Sequence, residues 1–380
     1  MPREHIRAEN RLPEQAFLFA AAAPGEAGRT TVERALAELE ALAEAASAEV
    51  VGSTYQVRQK PDAAYYLGRG KLAEIKMAAE SLGADLLICD DELSGSQLRN
   101  IERETGIRTI DRTNLILAVF AARATGSEGR LQVELAQYRY RLPRLKSTAG
   151  ELSRQGGGIG TRGPGETRLE TDRRHIRERI RSLEKRLQKV EAHQARLRAA
   201  RRRRGDLTVA VTGYTNAGKS TLINALCKAD LYAEDRLFAT LSAAGRELYL
   251  PLLTSRGRRV LLVDTIGFVS KLPHHLVAAF RSTLAEAATA DFVLKLVDGA
   301  DPEAAAKLQV TTKLLQEIGA GDLPEMTVIN KKDKIRADAD LSALYGNIAG
   351  PAKLVPQISA VTGAGLPELK DSLQSELLKI

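Results

Sequence analysis

Two cysteines in the whole chain, Cys89 and Cys227, both within apolar stretches, are too few for a disulfide framework. With no cluster of cysteine and histidine there is no zinc motif either. Two reduced, buried thiols are the expectation. Long hydrophobic runs are missing as well. No segment approaches the roughly 18 consecutive apolar residues that a membrane span needs. The nearest thing to a leader, Phe17-Leu-Phe-Ala-Ala-Ala-Ala23, is short, and Glu4, Glu9 and Glu14 interrupt the region before it, which argues against secretion. A cytoplasmic protein is expected, with no more than a peripheral association with membranes.

What is present is the composition of a globular protein, 44% hydrophobic and 27% charged over 380 residues. That length makes two domains the natural expectation. The net charge of +8 is unevenly placed. Between Thr171 and Arg204, 14 Lys and Arg stand against 4 Asp and Glu, a local +10, which leaves the remainder at about −2. A basic block on a near-neutral body points to an anionic partner, most simply nucleic acid.

Up to about Arg123, short apolar runs alternate with helical patterns. Ala16–Ala21, Val50–Tyr55, Asp85–Asp90 and Arg108–Asp111 predict strands, and Val32–Ala45, Lys71–Ser81 and Ser94–Thr105 predict helices. That alternation implies a small parallel α/β sheet. Asn114–Ala124 and Ser127–Tyr140 then predict consecutive helices, followed by Leu142-Pro-Arg-Leu145. Gly156-Gly-Gly-Ile-Gly-Thr-Arg-Gly-Pro-Gly-Glu166 reads as neither helix nor interior strand. From Glu170 to about Arg203 a long polar helix resumes. Its Ile176, Ile180, Leu183, Leu187 and Val190 form an a/d stripe, so the glycine-rich stretch reads as the tip of a two-helix arm. Within the tip, Gly158 to Gly163 fits the dinucleotide pattern GxGxxG, but no strand leads in and Pro164 follows, so a Rossmann site is disfavoured. A loop whose bare backbone and Arg162 can approach phosphates is preferred. Arg201, Arg202, Arg203 and Arg204, closed by Gly205, mark a domain boundary and join Arg162 as candidate RNA contacts. The expected domains are 1–125, an N-terminal α/β domain; 126–205, the arm; and 206–380, a nucleotide-binding domain.

The strand Leu207–Thr212 runs into Gly213-Tyr-Thr-Asn-Ala-Gly-Lys-Ser220 and then a helix from Thr221 to Leu226. This is the P-loop in the strand–loop–helix context it requires. Glycines let backbone N–H groups curl around phosphates at a helix N-terminus. Lys219 places its charge on the β and γ phosphates, and Ser220 offers a hydroxyl to Mg2+. Arg259–Asp264 predicts a strand ending in Asp264-Thr-Ile-Gly267, where the carboxylate holds a magnesium-bound water and the Gly267 N–H meets the γ-phosphate. Met326–Ile329 predicts another, ending in Asn330-Lys-Lys-Asp333. In that pattern the Asp333 carboxylate accepts from guanine N1–H and N2–H₂, and a base lacking both donors costs on the order of 1–3 kcal/mol or more. Ser359 and Ala360, after an expected strand Lys353–Ile358, complete the base pocket through a backbone N–H to guanine O6. The nucleotide contacts are thus expected from Gly213, Tyr214, Thr215, Asn216, Ala217, Gly218, Lys219, Ser220, Thr221, Asp264, Thr265, Ile266, Gly267, Asn330, Lys331, Asp333, Ser359 and Ala360, with Lys219 catalytic. GTP hydrolysis follows. Phe268 stands where Ras-like enzymes have a water-orienting glutamine, so intrinsic turnover is expected to be slow.

Longer strings accompany these motifs. They are Tyr66-Leu-Gly-Arg-Gly-Lys71, Asp111-Arg-Thr113, Glu128-Gly129, Gln132-Val-Glu-Leu-Ala-Gln137, Leu142-Pro-Arg-Leu145, Leu152-Ser-Arg-Gln-Gly-Gly-Gly158 and Arg162-Gly-Pro-Gly-Glu-Thr167. Phe238-Ala-Thr-Leu241 and Gly267-Phe-Val-Ser-Lys-Leu-Pro273 continue the series. Together they resemble the HflX family of GTPases over nearly the whole chain. The resemblance implies a ribosome-associated GTPase that binds the large subunit and its RNA, its N-terminal domain reaching toward the peptidyl-transferase centre. Members are linked to splitting or rescuing stalled ribosomes under stress, and some also hydrolyse ATP. It also implies that Phe238, Ala239 and Thr240 line the nucleotide, Thr240 closing on magnesium, in a protein expected to be a monomer. Ser242-Ala-Ala-Gly245 departs from the Asp-Pro-Thr-like run expected there, and Ala118 stands in place of an acidic residue. The chain ends soon after the last GTPase helix, so the further C-terminal domain of longer members is expected to be absent. Asn216 occupies the position of the asparagine in potassium-activated GTPases of the same broad class, which suggests K+ as a second cation. Two other readings stay open: a regulatory GTPase acting on a protein or membrane-associated partner, and an ATP- or GTP-driven RNA remodeller.

Overall fold

The computed structural model describes residues 13–124, 126–145, 164–227, 245–265, 267–271, 273, 276, 286–336, 342–346 and 355–380, with side chains from residue 170 onward in the helix that opens at 164. The chain divides into two compact units, residues 1–122 with 137–180 and residues 123–136 with 181–380.

In the first unit, β1 (Gln15–Ala22), α1 (Glu26–Ala45), β2 (Glu49–Val57), α2 (Arg69–Ser81), β3 (Leu86–Cys89), α3 (Gly95–Thr105) and β4 (Arg108–Asp111) alternate as expected. The sheet runs β2-β1-β3-β4 and every pairing is parallel. Strands covered on both faces read as unbroken apolar runs, and β1 and β3 do so. Phe17, Phe19, Leu72, Ile75, Leu87 and Ile101 fill the core on one side. α3 starts at a capping box in which Ser94 Oγ accepts the Gln97 N–H and the Gln97 side chain answers to the Ser94 N–H. Helix α1 begins six residues before its predicted start. Thr30 and Thr31, poor helix formers, donate instead to the carbonyls of Glu26 and Ala27 and so complete the first turns.

Helix α4 (Arg112–Arg123) follows β4 directly, and α5 (Ser127–Arg144) continues four residues past its expected end. Pro143 lies in the last turn, where its missing N–H removes a single helical bond. Helix α6 (Pro164–Arg203) starts inside the stretch read as non-helical. Proline is suited to the first helical position, where the N–H has no partner to lose. The a/d stripe is real: Leu183 and Leu187 are buried and Ile176, Ile180 and Val190 half-buried on an otherwise exposed helix. The rest of the glycine-rich stretch, residues 156–163 with Arg162, lies outside the described residues.

The second unit contains β5 (Leu207–Gly213), α7 (Lys219–Cys227), β6 (Gly245–Leu248), α8 (Pro251–Thr254), β7 (Val260–Asp264), β8 (Phe292–Asp298), α9 (Ala304–Glu317), β9 (Glu325–Asn330), α10 (Ser342–Gly346) and α11 (Leu366–Leu377). Its sheet runs β6-β7-β5-β8-β9, with β6 alone antiparallel. The central strand β5 is almost wholly buried and aims its C-terminal end at the P-loop. The expected strand Lys353–Ile358 is reduced, over its described part, to a single bridge between Gln357 and Ile329. Pro356 has no N–H to give a longer ladder. Cys89 is buried as expected, whereas Cys227 is only partly so. Among the described residues no helix is long and apolar enough to cross a membrane.

Candidate nucleotide site

Strand β5 ends at Gly213, α7 begins at Lys219, and the five residues between them form the loop. Asn216 adopts a left-handed backbone, φ 60°, a conformation asparagine tolerates better than most side chains. Gly218 is required for two reasons. Its φ is +91°, and a Cβ there would lie 2.4 Å from Asn330 Nδ2. Lys219 is 7% exposed and donates to the carbonyls of Gly213 at 3.1 Å and Tyr214 at 2.8 Å. Burial lowers its pKa to about 8, an effect partly offset by the charge of Asp264. Ser220 Oγ donates to Asp264 Oδ2 at 2.7 Å, and Asp264 and Thr265 are fully buried. Thr265 Oγ1 is turned away from the loop and bonds to the Val211 carbonyl at 2.9 Å. Thr221 lies in the first turn of α7. Gly267 sits directly over the lysine, since a Cβ on it would be 2.9 Å from Lys219 Nζ. Phe268 is 1% exposed, so its ring packs inward and presents no polar group to water.

Asn330 joins three separate segments. Its Nδ2 donates to the Ala217 carbonyl of the P-loop at 2.8 Å, and its Oδ1 accepts the Ala360 N–H at 3.0 Å. The Ser359 N–H is used on the Ala364 carbonyl. Of the two backbone amides, the Ala360 N–H, the candidate for guanine O6, is here given to Asn330. Asp333 is exposed, and a hydrogen bond from the Ser359 hydroxyl holds its carboxyl below the usual range, ionised and ready to accept. Lys331, also left-handed at φ 61°, pairs with Asp298 at 2.8 Å.

Asp298 went unread in the sequence, as did the strand β8 that ends on it. The signal was the run Phe292-Val-Leu-Lys-Leu-Val297, whose central lysine breaks the apolar pattern. Lys295 is buried and paired with Glu325 at 2.7 Å. Phe238, Ala239, Thr240, Ile266 and the residues 242–244 lie outside the described residues. Of the four arginines closing α6, Arg202 donates to the Thr289 carbonyl and Arg204 pairs with Asp206 at 3.0 Å. Arg203 is exposed and Arg201 half-buried.

Three consecutive segments match described families: residues 33–121 the GTP-binding GTPase N-terminal family, 123–201 the GTP-binding GTPase middle region, and 208–331 the 50S ribosome-binding GTPase family. The chain is 48% identical to the GTPase HflX of Caldanaerobacter subterraneus subsp. tengcongensis, over 91% of this chain and 78% of that protein. It is 42% identical to the GTPase HflX of Escherichia coli (strain K12), over 90% of this chain and 79% of the other. Among solved structures it is similar to that of the SsGBP and GDP complex, with a TM-score of 0.53, 26% identity, and coverage of 96% and 99% of the two chains.

Proposed function

The chain belongs to the HflX family of GTPases, and on that premise we propose that it binds the large ribosomal subunit through its basic arm and couples its nucleotide state to the splitting or rescue of stalled ribosomes. It is a GTP hydrolase with a ribosome-binding type of GTPase domain. One observation carries the ribosomal part of the reading. The apolar stripe of α6 is turned inward while Arg174, Arg177, Arg181, Lys185, Arg186 and Lys189 are all exposed. The local excess of positive charge is therefore a surface, suited to the phosphates of ribosomal RNA.

In the catalytic domain, Lys219 supplies a positive charge in a dry loop, where it holds the β and γ phosphates and stabilises charge on the bridging oxygen. Ser220 and Asp264 offer a hydroxyl and a carboxylate 2.7 Å apart. These are hard oxygen donors of the kind Mg2+ prefers, and they would hold the ion, Asp264 through a water, together with Thr240. The bound ion would neutralise phosphate charge. Asp333 reads guanine, and Asn216 would offer an amide oxygen to a potassium ion. With Phe268 buried, the chain itself orients no water at that position, and acceleration comes from the ribosome.

Cosedimentation with separated ribosomal subunits, at low and high salt and with GDP or a non-hydrolysable GTP analogue, tests the reading. Reversing Arg177, Arg181 and Lys185 to Glu should weaken binding to the large subunit and flatten its salt dependence, with nucleotide affinity kept. These three share one exposed helical face and spare Arg202 and Arg204, which have partners within the protein. An unaltered salt slope, or no preference for the large subunit, would overturn the proposal.

A further inference from the structure

The first half of the phosphate loop is strand-paired. Tyr214 bridges Phe268 in parallel. The Phe268 N–H donates to Gly213 O at 3.1 Å, and the Thr215 N–H donates to Phe268 O at 2.8 Å. The regular β5–β7 ladder stops at Val211–Asp264, and this bridge resumes it one residue out of step. The extra residue is absorbed between Asp264 and Phe268, as in a bulge.

A side chain then fastens the segment. Tyr214 Oη accepts the Ser270 N–H at 2.6 Å and lies 2.5 Å from Ser270 Oγ. A phenol has one hydrogen and two lone pairs, so it can donate to the hydroxyl while accepting the amide. The amide N–H and the hydroxyl of Ser270 are thus both gripped by one residue. Tyr214 is 7% exposed, and in such surroundings hydrogen bonds are stronger than in water. Lys307 Nζ, 5.2 Å from the ring centroid, backs the ring from α9. Packing alone would be served by phenylalanine; the hydroxyl has a separate purpose.

That purpose follows from Gly267. The fastened segment lays Gly267 against Lys219 and Thr215, within 2.9 Å and 2.8 Å of where its Cβ would stand. GDP draws on the loop from Asn216 to Ser220 and the start of α7, none of whose residues takes part in the bridge, although Gly267 also lies over Lys219. A third phosphate has to sit between Lys219 and Gly267, where the segment now packs.

We propose that Tyr214 is a latch that pins residues 267–270 onto the phosphate loop in the empty and GDP-bound protein, a hold given up when the Gly267 N–H turns to an entering γ-phosphate. It thereby sets the preference between the two nucleotides as a positioning residue. The proposal rests on the nucleotide occupying the P-loop as described above. Removing an interaction made in one state shifts the balance to the other. Tyr214→Phe keeps the ring, and is expected to raise the ratio of GTP-analogue affinity to GDP affinity by about two- to tenfold, the worth of one such hydrogen-bonded grip. Ser270→Ala, which leaves the amide bond to Tyr214, should raise it less. The readouts are calorimetric titrations of the full chain with GDP and with a non-hydrolysable GTP analogue, beside hydrogen exchange of the peptide spanning 267–271. In Tyr214→Phe that peptide should exchange faster than in the wild type when GDP is bound, and no faster with the analogue, whose γ-phosphate holds the Gly267 N–H in both. An unchanged affinity ratio, or equal weakening of both nucleotides, would overturn the latch. A wild type that binds neither nucleotide would instead overturn the site on which it rests.

Discussion

Raising the pH should weaken nucleotide binding through one buried lysine. In the free protein the Lys219 ammonium is desolvated and titrates at about 8 against an ordinary 10.5. Bound phosphates favour the charged form and restore the proton. Below about pH 8 the lysine is already charged and affinity is flat with respect to this group. Above it, binding must first draw a proton from solvent, so affinity falls by about tenfold per pH unit until the pKa of the complex is reached. At about pH 9 the loss is close to tenfold, or roughly 1.4 kcal/mol. The stability of the free protein moves the other way. A lysine whose pKa is depressed by folding opposes folding where it must be charged, so stability from this group rises between about pH 8 and 10.5 and is lowest below that window. The assay is GDP titration from about pH 7 to 9 in two buffers of different ionisation enthalpy, which reports proton uptake directly. Lys219→Arg, charged throughout, serves as the control. Flat affinity with no proton uptake at about pH 9 would refute the reasoning.

Asp333→Asn should weaken GTP binding and relax discrimination against xanthosine nucleotides, and unchanged GTP affinity would show that this carboxylate does not read the base. In the N-terminal unit, Arg112 is 2% exposed between Asp90, fully buried, and Glu38, both at 2.6 Å. Arg112→Leu strands those carboxylates and should cost on the order of 3–5 kcal/mol, seen as loss of hydrogen-exchange protection in β3 and β4; a change below about 1 kcal/mol would contradict it. Steady-state hydrolysis in matched potassium and sodium buffers should be faster in potassium, and Asn216→Ala should remove the difference. Equal rates in both salts would leave Asn216 explained by its left-handed backbone alone.

Local rules made much of this protein legible. Parallel strands buried on both faces must be apolar throughout, and so β1, β3, β5 and β7 stood out from their flanks. The phosphate loop, Asp264 and Asn330–Asp333 were readable because each chemical task needs a particular residue type at a particular strand end. The heptad stripe of α6 was equally plain, since its period is a property of the helix itself. Other features depend on partners far away in the chain. Lys295 hid β8 because its charge is compensated by Glu325, a strand away. Pro356 kept Gln357 to one bridge. Asn330 binds both Ala217 and Ala360, 113 and 30 residues distant, and nothing in the Asn-Lys-Lys-Asp motif announces those contacts. Tyr214 reads in sequence as one of four unspecified P-loop positions. Only the fold brings Ser270, 56 residues on, to its hydroxyl, because β5 and β7 are neighbours in the sheet and their extensions leave it side by side.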